Sequence, residues 1–456
     1  MSEASLSSGN PVGQQSLTMG HEATLSFFFI WLFIVAIYAR PEDIFPSLGQ
    51  LHLTFALGMC AAVTFLWSML AGNVSVVWPR ELRIVFLLTA WFMVGVPFAY
   101  WRGGSFEVLT QVWLKTLLIF FLVTQTLRSI DRIRSILWAI ILSELAVTAY
   151  SLAASSQVRW VGQRMYGVSL GILGWNFLGI AAALTIPYIA AIFMTQPSFV
   201  KSGLLAASIV SMLWMLVLTA SRSGIMSVVF SIVLTAVLVL RGSSRGKAIG
   251  FGLVLTLLIA IGVAPRVFWE RMETMSNDDS SGPADAVEAS AEMSQDNRMA
   301  VLMRSIDYTL EHPVFGLGLG NLEVASGNEL RQPDAWVGAH NTFTEISSEA
   351  GLPALFLFVT LLATFSRAMW RIGRTDFVGS HGPELNLLAR ATLASVLSFI
   401  FGACFAHLGY EYYFYACPLA IGVGIEHVAG NVRAVSSGVS ERLTTQQRLL
   451  TPGWTA

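Results

Sequence analysis

GLLAASIVSMLWMLVLTASRSGIMSVVFSIVLTAVLVL, residues 203–240, holds a single charged residue, Arg222, in the short SRSG joint between two apolar runs. Each run approaches the roughly 20 residues that a helix needs to cross about 30 Å of hydrocarbon. Two spans joined by so tight a turn predict a helical hairpin in a bilayer, with Arg222 at its tip. An arginine there is costly unless it faces water, lipid phosphate or a bound anion. A cation snorkelling to the headgroups is the commonplace alternative.

The rest of the chain repeats the pattern. Of 456 residues 55% are hydrophobic and 12% charged, against about 25% charged in ordinary soluble domains. With a mean hydropathy of +0.64, 14 Trp and 29 Phe, no soluble fold hides this much apolar surface. Apolar runs begin near residues 24, 53, 83, 108, 134, 170, 203, 222, 248, 351, 386 and 411. The expected fold is therefore an all-α integral membrane protein of about twelve transmembrane helices. Residues 1–23 are a cytoplasmic tail, 24–265 spans 1–9, 266–350 a periplasmic segment, 351–428 spans 10–12 and 429–456 a second cytoplasmic tail. The first 24 residues contain no Lys or Arg and so lack the basic start of a cleaved signal peptide. Cys60, Cys404 and Cys417 lie in apolar stretches at no metal-like spacing, which argues against a zinc site or a disulfide framework. A net charge of -1 offers no basic field for nucleic acid.

Orientation follows from Lys and Arg, which resist translocation. With the N-terminus inside, inner segments carry about fifteen of these cations (Arg80, Arg83, Arg128, Arg132, Arg134 and others). The short outer loops carry five: Arg40, Arg102, Arg159, Arg164 and Arg222. The segment 266–350 is then outside. Its stretch 276–297, SNDDSSGPADAVEASAEMSQDN, has the polar composition of a mobile chain. Order is expected to resume at Arg298, in a helix stopped by Pro313 and resting on the bundle through Leu302, Ile306 and Leu310.

Four outer positions are chemically unusual: Arg164, Arg222, Arg298 and His340. Arg298 at a helix start would oppose the helix dipole, so helix stability does not explain it. A histidine titrates near neutrality and can take a proton from a hydroxyl. Each has an ordinary alternative, as solvated or hydrogen-bonding surface. Glu345 and Glu349 share a helical face and are expected to pair with the arginines. Gly316, Gly318 and Gly320 in HPVFGLGLGN fit no phosphate-loop pattern. They predict a tight turn and a close approach of backbone to the bundle. Lys115 and Glu144, inside apolar runs, are expected to pair with each other. In a transporter, the competing reading, they would line a proton or ion path.

SRSG at 221–224, NRMAVLMRSIDYTLEHPVFGLGLGN at 297–321 and HNTFTEISSEAGLPA at 340–354 together resemble the O-antigen ligase and polymerase superfamily. His340-Asn341 followed after nine residues by Gly351 is similar to its signature, with Ala354 where the family usually has glycine. The motifs cover roughly residues 160–360. The resemblance implies transfer of a glycan from undecaprenyl diphosphate to an acceptor hydroxyl, outside the bacterial inner membrane, with neither nucleotide nor metal and no cofactor. The acceptor is lipid A core sugar in a lipopolysaccharide ligase, another repeat unit in an exopolysaccharide-type polymerase, or a protein hydroxyl. It implies catalytic roles for His340, Arg222 and Arg298, and substrate binding by Arg164, Arg222, Arg298 and Asn341. The partners implied are the lipid-linked donor, the acceptor and membrane lipid.

Overall fold

A computed structural model describes residues 11–49, 51–153, 160–161, 164–165, 175–195, 198–273, 286–331, 338–377, 381–411 and 414–432. The regular structure within them is helical, apart from a two-residue antiparallel ladder, β1 (Trp160–Val161) with β2 (Arg164–Met165). In order the helices are α1 (Pro11–Ala39), the short α2 (Pro41–Ile44) and α3 (Pro46–Gly49), α4 (Leu53–Leu70), α5 (Arg80–Gly95), α6 (Arg102–Val108), α7 (Leu114–Thr126) and α8 (Ile130–Ala153). There follow α9 (Trp175–Thr195), α10 (Phe199–Thr219), α11 (Arg222–Leu238), α12 (Ser244–Gly262), α13 (Arg266–Glu273), α14 (Ala286–Glu311), α15 (Leu322–Leu330), α16 (Thr342–Ile372) and α17 (Gly382–Gly402). A π turn, Tyr415–Leu419, then leads into a last helix over 420–432.

Among the described residues nine helices are long and apolar enough to cross a membrane, and Leu25–Ala39 and Arg222–Leu238 are shorter apolar helices. Each lies where an apolar run is expected, and the helix of 420–432 meets the run from 411. The chain is a multi-pass membrane protein. α9, α11 and α17 pack mutually, α1 packs on α4 and α8, and α5 on α16. The interior these helices enclose is apolar, with Trp113, Tyr188, Phe358, Phe365 and Tyr415 fully buried. Exposed Phe55, Trp67, Phe199, Phe251 and Phe356 cover its outside, as lipid-facing positions require.

Two ends of the bundle differ in chemistry. At one, the ends of α17 and the start of α16 are joined by a bond from Thr342 N to Ala403 O, 2.8 Å. At the other, Arg134 pairs with Glu384 at the start of α17 (2.6 Å) and with Asp131 (3.0 Å), and Arg80 with Glu81 (2.6 Å) and Glu426 (3.8 Å).

Three expectations need correction. Glu144 does not pair with Lys115: its Oε1 accepts from Thr185 Oγ1 at 3.1 Å, and Lys115 lies exposed. A hydroxyl one helix away satisfies one carboxyl oxygen, while Oε2 is buried without a hydrogen-bond partner among the described residues. Helix α14 starts at Ala286, inside the stretch expected to be mobile, so Arg298 sits within the helix rather than opening it; residues 276–285 lie outside the described ones. The buried face of α14 is Val301, Ser305, Tyr308 and Thr309, with Val301 and Tyr308 packed against the glycine loop and α15, while Ile306 and Leu310 are exposed and Leu302 is half-buried. Small and hydroxyl side chains let α14 approach α16 closely, sealed by Thr309 Oγ1 to Ser347 Oγ at 2.8 Å.

Candidate active site

The tip of the α10–α11 hairpin is built by capping. Ala220 takes a left-handed conformation (φ 47°) that ends α10, and Ser221 Oγ accepts from Gly224 N at 3.2 Å to cap α11. Arg222 is thereby fixed as the first residue of α11.

His340 reaches the same end from the other direction. It too is left-handed, with φ 47°, an uncommon state for a residue with a side chain. Asn341 then caps α16, its Oδ1 accepting from Phe343 N (2.9 Å) and Thr344 N (3.2 Å). Asn341 is therefore occupied as a cap, and its amide Nδ2 donates to Cys404 O at 3.3 Å.

Arg298 links the two. Burial, and then the positive charge of Arg222, hold its guanidinium below the ordinary range. Burial, then His407, then Arg298 push the His340 imidazole down to about 4. The charge of Arg222 thus acts on Arg298 and that of Arg298 on His340, which lies 118 positions from Arg222 in the chain. Three of the expected site residues thus converge at one end. The fourth, Arg164, has its backbone in β2 opposite Val161, and β2 packs on α10; its side chain lies outside the described atoms.

The support under the site comes from a break in α16. Gly351 is non-helical (φ 79°, ψ 172°) and Pro353 follows, so the helix stops and restarts. The carbonyls freed at the break are taken up by the glycine loop and α5. Leu317 N donates to Ser348 O (2.8 Å), Gly318 N to Glu349 O (2.8 Å) and Trp91 Nε1 to Ala350 O (2.9 Å), while Leu352 N donates to Pro313 O (2.8 Å). A Cβ on Gly351 would stand 1.9 Å from Val314 O. Gly316, Gly318 and Gly320 all have positive φ, so the loop makes the tight turn and close approach expected of it.

Glu345 and Glu349 do not pair with arginines, a further correction to the sequence reading. Glu349 Oε2 accepts from Gly320 N (2.7 Å) and Tyr410 OH (2.9 Å), and its Oε1 from Leu322 N (3.2 Å). Glu345 Oε2 accepts from Gly409 N at 3.0 Å. Backbone N–H groups at turns and at the start of α15 are fixed donors close by, and they satisfy these carboxyls in place. These two acids hold the scaffold.

Sequence reasoning missed His407 and Glu323. The His407 ring lies 5.5 Å from that of His340, edge to face at 62°. Glu323, on α15, is pushed up by burial. A lone histidine in FGACFAHLGYE reads as ordinary interior, and only the folded 403–411 loop brings it to His340.

Residues 207–370 match the family model described as O-Antigen ligase. This segment is similar to the O-antigen ligase family. It contains Arg222, Arg298, His340, the glycine loop and the break at Gly351, whereas Arg164 and His407 fall outside it. No curated protein matches the chain. The similarity of residues 207–370 to that family supports, in general, a membrane enzyme of glycan ligase or polymerase type.

Proposed function

We propose that this membrane protein moves a glycan from undecaprenyl diphosphate to an acceptor hydroxyl on the periplasmic side of the bacterial inner membrane. The observation that carries the proposal is the convergence of Arg222, Arg298 and His340 at one end of the bundle. Two partly buried guanidiniums within each other's field repel, and an anion between them reverses the sign. A departing diphosphate is such an anion. One arginine–phosphate contact at about 4 Å contributes about 4 kcal/mol of raw Coulomb attraction at an effective dielectric near 20. The planar guanidinium fork also matches phosphate oxygens two at a time.

His340, held neutral, takes the proton of the acceptor hydroxyl as its oxygen attacks the anomeric carbon. The bond from that carbon to the diphosphate breaks, and its electron pair leaves on the oxygen that Arg222 and Arg298 stabilise. A single in-line displacement inverts the anomeric configuration. Arg164, whose strand packs on α10, is assigned to the donor's glycan or diphosphate. The Arg80 end, with its excess of cations, is assigned to the cytoplasm, which places the His340 end and both tails as the charge census does. Twelve crossings, including α1, α11 and the helix of 420–432, complete this topology.

Membranes carrying wild type, His340→Ala or Arg222→Lys at matched expression test the proposal through the fate of the lipid-linked donor. Wild type consumes it and both variants leave it intact. A ladder of product sizes identifies polymer growth, and one discrete shift identifies ligation. Donor consumption by both variants at the wild-type rate overturns the assignment.

A further inference from the structure

The loop between α17 and the π turn is fastened to the start of α16 more heavily than a connection requires. Ala403 O accepts from Thr342 N (2.8 Å), Cys404 O from Asn341 Nδ2 (3.3 Å) and Ala406 O from Thr342 Oγ1 (2.8 Å). Leu408 N donates to Thr342 Oγ1 (3.0 Å) and Gly409 N to Glu345 Oε2 (3.0 Å). Five bonds within seven residues, on both sides of His407, fix that imidazole against the ring of His340. Beyond it lies Glu323. A Cβ at Gly338 would sit 2.9 Å from Glu323 Oε1 and 3.2 Å from His407 Nδ1, so both groups crowd one point on the chain two residues before His340.

We infer that His407 is the second half of a two-histidine base: it takes the proton on from His340, and Glu323 passes it toward the outer water. The inference rests on the proposed transfer reaction. In that reaction the acceptor O–H bond breaks and its proton goes to a nitrogen of His340. From there it moves to His407, then to the Glu323 carboxylate and to water, returning His340 neutral for the next acceptor. The groups around the pair suit this direction. Arg298 from α14, itself in the field of Arg222 from α11, lies on the side of the departing diphosphate and repels a proton that stays on His340. Glu323 from α15, Glu345 from α16 and Glu411 from the same loop lie on the acidic side. A purely packing role for His407 would ask for ring shape alone, and a phenyl ring supplies that.

The test is therefore His407→Phe, which keeps an aromatic edge against His340 and removes both nitrogens. In the purified full-length protein, with lipid-linked glycan as donor, kcat is expected to fall about 10- to 100-fold while KM for the donor changes less than about twofold, the pattern of a step-specific loss. Added imidazole is expected to restore part of the rate in His407→Ala. Should His407→Phe fail to accumulate, Glu323→Gln carries the same test, with kcat again falling at constant KM. Wild-type kcat and an unchanged pH profile in His407→Phe or Glu323→Gln, with His340→Ala inactive, overturn the relay and leave the transfer reaction standing. A wild-type protein that does not consume the donor overturns both.

Discussion

Arg298 is the residue on which the site turns, because it lies in the field of Arg222 on one side and its own charge reaches His340 on the other. A half-buried cation in the field of another is an arrangement that an anionic group would stabilise. Replacing Arg222 or Arg298 by Lys keeps the charge and removes the fork, and donor turnover is expected to fall about 100-fold, measured as kcat/KM on the lipid-linked donor. The pH dependence is equally specific. His340 is depressed to about 4, so it stays unprotonated well below the ordinary histidine value of about 6.5. The acid limb of kcat/KM, which reports the free enzyme, is expected near pH 4. Bound diphosphate adds negative charge beside Arg298, which favours the protonated imidazole, so the acid limb of kcat is expected at higher pH than that of kcat/KM. Coincident limbs near 6.5 would contradict this. The depression also has a stability consequence of fixed sign: between about 6.5 and 4 the unfolded chain binds a proton that the folded site refuses, so acid in that window destabilises the fold.

At the scale of elements, the broken helix α16 holds the site. Its backbone at Gly351 lies in a region that only glycine occupies without strain, and any Cβ meets Val314 O at 1.9 Å. Gly351→Ala is expected to cost about 2 kcal/mol or more, read as a lower thermal midpoint in detergent. Gly203→Ala, whose Cβ meets nothing within 4 Å, is expected to be neutral or slightly stabilising in its helix. Much of this element-level structure was legible. The apolar runs located the helices, and HPVFGLGLGN announced a close-packed turn because positive φ has few other uses for three spaced glycines. What misled was the face of α14. Periodicity finds an apolar stripe but does not say whether protein or lipid covers it. Ile306 (38%) and Leu310 (71%) are exposed, and Met299 (59%) and Met303 (54%) extend the stripe, while hydroxyls and a valine lie on the buried face. In a bilayer apolar side chains gain nothing by leaving lipid, so close packing selects the small and polar face. The partners of Glu345, Glu349 and Glu144 were illegible for a related reason: their donors are backbone amides and two hydroxyls, which leave no charge pattern in a sequence. His407 depended wholly on a tertiary contact between segments 67 residues apart.

The whole molecule separates its cations by use. At the Arg80 end they are spent on structure: Arg134 with Glu384 and Asp131, Arg80 with Glu81, Arg128 on the carbonyls of Ser75 (2.6 Å) and Gln125 (2.9 Å). At the His340 end Arg222 and Arg298 stand in each other's field, while the nearby acids serve backbone amides. Such asymmetry suits an enzyme that meets an anionic lipid headgroup on one side only. If that side is periplasmic, Glu311→Cys, exposed at the end of α14, is expected to react with a membrane-impermeant maleimide in intact spheroplasts. Arg241→Cys, exposed after α11, is expected to react only after permeabilisation, both in a background lacking Cys60 and Cys404. The reverse pattern would invert the topology. The central claim, that two arginines hold a departing diphosphate while His340 activates the acceptor, is tested most directly by single-turnover release of undecaprenyl diphosphate in proteoliposomes. The protein is supplied with a lipid-linked glycan and an acceptor sugar, comparing wild type with His340→Ala. The account predicts rapid release by wild type, and for His340→Ala an intact bound donor with release slowed by about 100-fold or more. Equal release rates from the two proteins would contradict it.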